Sequence, residues 1–355
     1  MEENSKRGNK RQGVTIKEVA ERAGVSQMTV SRVLNKKAVV KSSTREKVEA
    51  AIAELNYRPN LLARGLAGGK SFLIGFLYYN PSYGYLNEFL NGALDECRAL
   101  GHHLVVEAIN VDALASEPSR YAELVRRIGV DGLIVNPPLS DNHELITALR
   151  EIGLPFVRIA HGDLSCADLS VVINDADAAK MMALHLIERG HRRIAFILGA
   201  RDQTSSAMRF AGFKAAMAKH KLPIDRNYIV SGDYTFQSGV NAGNQLLSLS
   251  EPPTAIFASN DEMAAGVIAA AHQRGLRLPD ELSVAGFDDT ALAQTVWPQL
   301  TTIRQPVADM ARRSVSLLTE CLVHGEVELA ERLHILDVAL IERESVAPPS
   351  GGIRG

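Results

Sequence analysis

The sequence predicts an all-α head with a helix-turn-helix arrangement, followed by an α/β core of two doubly wound subdomains with parallel sheets. Capped amphipathic helices lie close together in the first 58 residues. From Phe72 onward, short apolar runs alternate with amphipathic helical segments, which is typical of parallel sheets covered by helices. Eight such runs over about 280 residues are more than one open sheet usually holds, so we expect two subdomains.

The sequence predicts three short helices in the head, and capping residues mark where they begin and end. Thr15 is the predicted N-cap of the first helix, and Glu18, three residues later, completes a capping box. Gly24 ends this helix, and Ser26 caps a second helix that runs to about residue 34. The letters STRE at 43–46 predict a third helix that opens with a second capping box. Two helices joined by a short turn containing glycine, with a third helix closing a small core, form a helix-turn-helix.

The segment after Pro59, NLLARGLAGGK, predicts a linker rather than a stable helix. Gly65 inside it costs about 1 kcal/mol of helix propensity relative to Ala. We therefore expect a head at 1–58, a hinge at 59–70, a core at 71–345 and a flexible tail at 346–355. Within the core, we expect one subdomain at 71–161 plus 288–320 and the other at 162–287 plus 321–345.

Composition excludes several classes of protein. Cys97, Cys166 and Cys321 form no CxxC pair, so neither a disulfide framework nor a zinc site is indicated. The polar N-terminus has no apolar signal core, and no run of 18 apolar residues follows. We therefore expect a cytoplasmic protein that needs no membrane, metal or cofactor.

Charge is distributed unevenly along the chain. Residues 1–70 contain 15 Lys and Arg against 7 Glu, a net charge of about +8, whereas the remainder contains 24 basic against 34 acidic residues. A basic head on an acidic body indicates a polyanionic partner at one end of the chain.

Motifs along nearly the whole chain resemble the lactose-repressor/galactose-repressor family of bacterial transcription factors. The resemblance lies in VTIKEVAERAGVSQMTVSRVLN, STREKVEAAIAELNYRPN, LARGLAGGKS, GHRRIAFILG, MRFAGFKAAM, FASNDEMAAG, LSVAGFDDT and LTTIRQP. It implies a DNA-binding head, a hinge helix and a core like the periplasmic sugar-binding proteins. It also implies a homodimer that binds a palindromic operator in duplex DNA at the bacterial nucleoid.

The second helix would present its first side chains to base edges in the major groove. Gln27 can pair with adenine, Arg32 can bind guanine through two hydrogen bonds, and Met28 can contact a thymine methyl. Short polar groups suited to phosphate contact are Thr15, Ser26, Thr29, Ser31 and Asn35. Thr29 and Ser31 could equally cap a helix or face solvent.

In the hinge, the family places a leucine as a wedge between base steps of the minor groove, and Leu66 matches that position. Asn60 and Ala63 would lie on the same hinge helix. The alternative for Leu66 is an ordinary core leucine.

The resemblance also implies an effector pocket. Arg209 and Asp288 match a ligand-gripping arginine and a strand-end acid, while Asn260 and Tyr234 match an amide and an aromatic wall. Tyr234 could instead be core packing. Where many sugar-responsive members have Asp, this chain has Ala160, so the ligand or its contacts should differ. Further strand-end candidates are Asn80, Tyr83, Tyr85, Asn136, Arg158 and His161. Each is equally open to a structural role, except that a histidine such as His161 is more often a solvated loop residue than a ligand.

The leading hypothesis is a repressor of carbohydrate-utilisation genes that a sugar-like effector in the core cleft releases from DNA. Some relatives instead need their ligand to bind DNA, purines being an example, so a co-repressor is the alternative. A solute-binding protein without a DNA role would leave the basic head unexplained. A GxSxG elbow, a phosphate loop with the full GxxxxGKS or GxxxxGKT spacing and an HExxH motif are absent from the sequence, so we do not expect an enzyme.

Overall fold

The computed structural model describes residues 15–34, 40–55, 73–79, 82–109, 119–163, 167–325 and 327–350. The chain forms two compact units, Met1–Ser71 and Phe72–Gly355, which we refer to as the head and the core.

The described part of the head contains three helices: α1 (Ile16–Ala23), α2 (Gln27–Leu34) and α3 (Ser42–Glu54). The capping box predicted for α1 is confirmed, because the Thr15 hydroxyl accepts from the Glu18 amide and the Glu18 carboxylate accepts from the Thr15 amide at 2.6 Å. Gly24 ends α1 in the left-handed conformation, with a φ of +66°.

The start of α3 differs from the prediction. This helix begins at Ser42, its N-cap is Lys41, and no side chain caps it, so the predicted capping box at 43–46 is wrong. The Lys41 side chain has no acceptor atom to offer the first turn. The three helices enclose a small apolar core formed by Val19, Ala20, Val30, Val33, Val48 and Ala51. An ion pair of 2.6 Å between Arg22 and Glu54 joins α1 to α3.

The first half of the core, the N-lobe, is built on a six-stranded parallel sheet. Its strands are β1 (Leu73–Tyr78), β2 (His103–Ala108), β3 (Gly132–Val135), β4 (Phe156–Ile159), β5 (Leu169–Ile173) and β11 (Leu333–Leu336), in the spatial order β11-β5-β4-β3-β1-β2. Its helices are α4 (Tyr83–Leu100), α5 (Ser119–Ile128), α6 (His143–Ile152) and α12 (Val307–His324).

The second half, the C-lobe, repeats this plan. Its strands are β6 (Ile194–Leu198), β7 (Ile229–Ser231), β8 (Ala255–Ala258), β9 (Ser283–Asp288), β10 (Thr301–Arg304) and β12 (Ala339–Ile341), in the order β12-β10-β9-β8-β6-β7. Its helices are α7 (Asp175–Glu188), α8 (Thr204–Lys219), α9 (Phe236–Leu247), α10 (Asp261–Gln273) and α11 (Ala291–Thr295). All pairs are parallel except β10 with β12.

The central strands explain why each lobe has three layers. Every residue of β3, β5 and β9 is buried, which requires helices on both faces of the sheet. The predicted fold class, a helical head with a core of two parallel-sheet subdomains, is confirmed.

The division of the core differs from the expected boundaries. A break at 161 would place β5 in the second subdomain, but β5 pairs with β4 in the N-lobe, with Val157 opposite Leu169. A return at 288 would place β10 in the first subdomain, but β10 pairs with β9 in the C-lobe. The chain crosses between lobes at 174, 305–306 and 337–338, so β11 belongs to the N-lobe. β5 and β10 thus each pair with the preceding strand, whereas β11 pairs with a strand far away in the sequence.

The tail prediction is also wrong at its beginning. Val346 is buried, and the Ala347 amide donates to the Ser283 hydroxyl at 3.1 Å. The Ala347 carbonyl accepts from His191 Nε2 at 2.9 Å. These contacts attach the segment to the C-lobe, while 351–355 lie outside the described residues.

Candidate functional site

The turn between α1 and α2 fixes the orientation of the second helix. The Val25 amide donates to the Ala20 carbonyl at 3.0 Å, which closes the turn after Gly24. The Ser26 hydroxyl accepts from the Thr29 amide at 3.2 Å, as expected of an N-cap. These two hydrogen bonds hold the first turn of α2 in place in addition to its packing in the head core.

Helix α2 has one buried face and one open face. Val30 and Val33 are buried in the head core, whereas Gln27 and Arg32 are exposed. Met28 is 65% exposed, and its sulfur lies 3.5 Å from Arg32 Nη2. An open methionine between an amide and a guanidinium offers both apolar and hydrogen-bonding contact, the combination that base edges and thymine methyls require.

The short polar residues around α2 are partly engaged within the head. The Thr15 hydroxyl donates to the Glu18 carboxylate at 2.8 Å, and the Ser26 and Thr29 hydroxyls lie 2.9 Å apart. Ser31 is half-buried and also has a partner. Phosphate contacts by these residues remain a prediction. Asn35, Asn60, Ala63 and Leu66 lie outside the described residues.

A cavity lies between the lobes, at the carboxyl ends of the parallel strands. It is lined by Ser82, Tyr85, Pro137, Ala160, Gln203, Ser205, Arg209, Tyr234, Asp288 and Gln305. Its volume is about 30 Å³, which is room for only a couple of water molecules. We refer to it as the inner cavity. It occupies the position where open α/β sheets bind ligands.

Arg209 on α8 is the central cation of the inner cavity. Its Nε donates to Asp175 Oδ1 at 2.8 Å, and its Nη1 donates to the Ser259 carbonyl at 2.6 Å. The guanidinium carbon lies 3.6 Å from the centre of the Phe287 ring. These contacts hold a buried charge in one orientation, so the site is organised before a ligand arrives.

Asp288 ends β9 and faces Arg209 across the cavity. Its Oδ1 accepts from Gln305 Nε2, and Arg209 Nη1 lies 3.9 Å from the same oxygen. Burial raises the pKa of Asp288 well above its usual range, and the charge of Arg209 opposes this only in part. When it is protonated, this carboxyl group can donate a hydrogen bond to a ligand hydroxyl as well as accept one.

Two tyrosine rings form opposite walls. The Tyr234 hydroxyl lies 3.3 Å from the Ser205 hydroxyl, and its ring passes so close to Gly199 that a Cβ there would lie 2.1 Å from Tyr234 Cζ. On the N-lobe side, the Tyr85 hydroxyl donates to Asn136 Oδ1 at 3.2 Å. Asn136 is therefore buried behind the wall and supports it, without lining the cavity.

Three residues without the freedom of glycine adopt a positive φ around this cavity: Ala160 at +48°, Tyr234 at +69° and Asp288 at +116°. Strained backbone of this kind persists only where the surrounding structure imposes it, and it concentrates at functional sites. Strained backbone at three strand ends therefore supports the inner cavity as the functional site of the core.

Asn260 does not line the inner cavity. Its Oδ1 accepts from the Met263 amide at 3.0 Å and caps α10, while its Nδ2 donates to the Tyr234 carbonyl at 2.9 Å. Both ends of the amide are thus engaged with protein, and Asn260 positions the backbone of the tyrosine wall.

Arg158 and His161 also lie away from the inner cavity. Arg158 Nε donates to the Ser140 carbonyl at 2.8 Å, and its Nη1 donates to Asp168 at 3.2 Å. His161 Nε2 lies 2.7 Å from the Ser170 hydroxyl, and burial together with Arg158 lowers the pKa of His161 to about 4. Between them in the chain, Ala160 alone reaches the cavity.

A second cavity of about 420 Å³ opens beside the first, and we refer to it as the outer cavity. Tyr83 lines it and is 82% exposed, whereas Gln203 lines both cavities. Asn80 lies outside the described residues.

Sequence reasoning missed several lining residues: Ser82, Pro137, Gln203, Ser205 and Gln305. Most of them follow a strand closely, so the strand-end rule already pointed to their positions. Gln305 follows β10, a strand that the apolar pattern did not reveal, because its four residues include two threonines and an arginine.

Comparison with known proteins supports this reading of head and core. Residues 15–60 match the profile of bacterial regulatory proteins of the lacI family, and residues 183–346 match the periplasmic binding protein-like domain. Catabolite control protein A of Priestia megaterium is 37% identical over 309 residues, which cover 86% of this chain and 92% of that protein.

Two solved structures extend the likeness. The lac repressor dimer bound to operator and the anti-inducer ONPF superimposes with a TM-score of 0.77 and 32% identity, covering 95% of this chain and all of that one. The transcriptional regulator CelR in complex with cellobiose gives 0.70 and 27%, covering 94% and 100%.

The chain belongs to the lacI family of bacterial regulatory proteins, and it is a DNA-binding transcriptional repressor with an effector-binding core. The family resemblance stated from the motifs is thereby confirmed. Within the described residues, we find no helix that is both long and apolar enough to span a membrane.

Proposed function

We propose that this repressor controls carbohydrate-utilisation genes and that a sugar-like effector in the inner cavity releases it from its operator. The observation that carries the proposal is the convergence of Arg209, Asp288 and Gln305 between two tyrosine rings at the carboxyl ends of both sheets. Planar polar groups bind paired hydroxyls, and aromatic rings cover the apolar faces of a sugar.

The effector acts through the placement of the lobes. Glu262 Oε1, in the C-lobe, accepts from the Ser82 hydroxyl at 2.8 Å and from the Gly84 amide at 3.1 Å, both in the N-lobe. A ligand between the lobes changes the balance between such contacts and its own. A coupling free energy of about 1–3 kcal/mol between effector and operator binding is enough to shift the repressor from its operator-bound to its free state.

On DNA, two copies related by a twofold axis read a palindromic operator, because one helix-turn-helix covers only a half-site. Gln27, Met28 and Arg32 contact bases. The phosphate contacts are Thr15, Ser26, Thr29, Ser31 and Asn35. In the hinge, Leu66 enters the minor groove, with Asn60 and Ala63 on the same helix.

Remaining features follow from this role. The protein works in the cytoplasm as a homodimer, without a membrane, cofactor or catalytic activity. Ala160 contributes no hydrogen bond from its side chain to the inner cavity, so the charged contacts to the effector there come from Arg209 and Asp288 of the C-lobe.

Selection of duplexes from a random pool with the full-length protein tests the DNA role. We expect one palindromic sequence to be enriched and Arg32→Ala to weaken its binding about tenfold or more, since one bidentate base contact is worth about 1–3 kcal/mol. Lys219→Ala removes the same charge from an exposed site in the core and should leave binding unchanged. Recovery of no sequence above random competitor would reject the role.

The effector role is tested by titrating sugars and nucleobases into the operator complex and following fluorescence anisotropy. We expect at least one sugar to lower operator affinity and Arg209→Lys to abolish that response, because lysine cannot reproduce the paired donors. A ligand that instead raises operator affinity would establish a co-repressor. If no compound in the panel changes affinity, the allosteric part of the proposal fails.

A further inference from the structure

The outer cavity carries an inference about the size and charge of the effector. It lies between the lobes and is lined by Tyr78, Tyr79, Tyr83, Ala108, Ile109, Ala200, Asp202, Gln203, Asp233 and Thr235. Its 420 Å³ falls within the range of small-molecule sites, whereas the inner cavity at 30 Å³ is far below it.

The N-lobe side of the outer cavity is aromatic and open. Tyr83 is 82% exposed and Tyr79 is 42% exposed, although large aromatic side chains usually bury most of their surface. Tyr78 is held more firmly, because its ring stacks on Phe76 with centroids 5.8 Å apart. The wall thus combines one fixed ring with two that have free faces, which suits stacking against the apolar face of a pyranose.

The C-lobe side is acidic and polar. Asp233 accepts from the amide and the hydroxyl of Thr235, at 2.9 and 2.6 Å. Although burial opposes it, hydrogen bonds from Thr235 and Ser238 lower the pKa of Asp233, so its carboxylate is charged at neutral pH. Asp202 adds a second carboxylate. Among the described lining residues there is no Lys or Arg to balance them, so an anionic group is disfavoured in this cavity.

The two cavities are neighbours. Gln203 lines both, and Ser205 on the inner side is only two residues away from it. Tyr83 on the outer side and Ser82 on the inner side are adjacent at the start of α4. The two cavities therefore adjoin at Gln203 and at the start of α4, so a ligand in one is next to the other.

We propose that the outer cavity is a second sugar subsite, so that the effector is a neutral disaccharide or longer glycoside. This inference rests on the proposed function. One ring contacts Arg209 and Asp288 once the lobes have parted enough to admit it, and the next ring stacks on Tyr83 and Tyr79 while its hydroxyls face Asp202 and Asp233.

Calorimetric titration of the full-length protein tests the subsite with glucose, galactose, cellobiose, maltose, lactose and glucose 6-phosphate. We expect one disaccharide to bind at least tenfold more tightly than either monosaccharide, and glucose 6-phosphate to bind no more tightly than glucose. Tyr83→Ala should weaken the disaccharide about five- to tenfold and leave a monosaccharide unchanged, in keeping with one aromatic contact. Tyr83→Phe is the matched control, because it keeps the ring.

The outcomes separate the two proposals. If monosaccharides bind as tightly as disaccharides and Tyr83→Ala changes neither, the subsite is rejected while the sugar-responsive repressor stands. Tight binding of glucose 6-phosphate would also reject it, because it would contradict the acidic lining. If no sugar in the panel binds, both proposals are rejected.

Discussion

At the scale of single residues, Arg209 divides its contacts unequally between two buried carboxyl groups. Asp175 accepts directly from its Nε at 2.8 Å, whereas Asp288 lies 3.9 Å from its Nη1 and takes its hydrogen bond from Gln305. Burial raises the pKa of both acids, and Arg209 opposes the rise in each. Asp175 therefore serves as the counter-ion of Arg209, while Asp288 can exchange its contacts for those of an effector.

This division predicts different phenotypes for two matched substitutions. Asp175→Asn removes the charge beside a buried guanidinium, so we expect a loss of about 2 kcal/mol or more in the free energy of unfolding. Asp288→Asn keeps a hydrogen-bonding group and should change stability by less than about 1 kcal/mol, yet weaken effector binding about tenfold or more. Urea unfolding and calorimetric titration measure the two effects. Equal loss of stability in both variants would contradict the assignment.

The sequence pointed to strand ends more reliably than to side-chain directions. Arg209, Tyr234 and Asp288 line the inner cavity, where the motifs placed them. Arg158 and His161 flank a strand end equally closely, but their side chains turn into polar networks within the N-lobe. Which way such a side chain points depends on partners elsewhere in the chain, and local pattern does not contain them.

At the scale of helices and strands, local chemistry explains what could be read from sequence. The capping box of α1 and the Gly24 terminus involve residues within four positions of each other, so they were predictable. The eight apolar runs correspond to strands β1 to β4 and β6 to β9. The short edge strands β11 and β12 lie in the apolar run LHILDVALI, which was not among the eight runs predicted as strands, and none of their residues is fully buried.

His191, which lies just before β6, attaches the C-terminal segment to the C-lobe. Its Nδ1 lies 2.9 Å from the Thr254 hydroxyl, and its Nε2 lies 2.9 Å from the Ala347 carbonyl. Since Nε2 must donate to that carbonyl, the neutral ring accepts from Thr254 through Nδ1. Burial lowers the pKa of His191 to about 4.

That lowered pKa predicts acid sensitivity. An unfolded histidine takes up its proton near pH 6.5, so between about pH 6.5 and 4 the unfolded state binds more protons than the folded one. Stability from His191 is present above this window and is lost as the pH falls through it, by about 1–2 kcal/mol at pH 5. Urea unfolding of wild type and His191→Gln at pH 7.5 and 5 measures the effect. The variant should show a shallower loss, and an identical slope would contradict the assignment.

At the scale of the whole molecule, pattern predicted two sheets but not how the chain divides between them. The alternation of apolar runs and helices specifies the layers within a lobe. The assignment of β11 depends instead on pairing between distant segments, such as Leu333 with Ser170, whereas β5 and β10 each pair with the strand that precedes them. The local sequence does not show whether the chain stays in the same lobe after a strand or crosses to the other lobe.

The lobes meet where α4 and α10 begin. Gly84 approaches Thr290 so closely that a Cβ there would lie 2.9 Å from Thr290 Cγ2. Beside it, Glu262 accepts from Ser82 and Gly84, and its other oxygen accepts from Asn260. Because Asn260 also holds the backbone of Tyr234, this contact between the lobes is linked to the wall of the inner cavity by two hydrogen bonds.

Removing the Ser82–Glu262 contact should loosen the closed arrangement of the lobes. Ser82→Ala deletes one of the two N-lobe donors to Glu262, so we expect closure to weaken by about 1 kcal/mol and effector affinity to rise about fivefold, because the lobes must part to admit the effector. The radius of gyration of the effector-free core, measured by X-ray scattering, should increase. Glu262→Gln should have a similar effect, and the double variant should add little to either single one, because both lose the same interaction. Glu281→Gln, which breaks an exposed pair with Arg277 within the C-lobe, is the matched control. Full additivity of the two substitutions, or unchanged affinity in both, would show that this contact does not hold the lobes together.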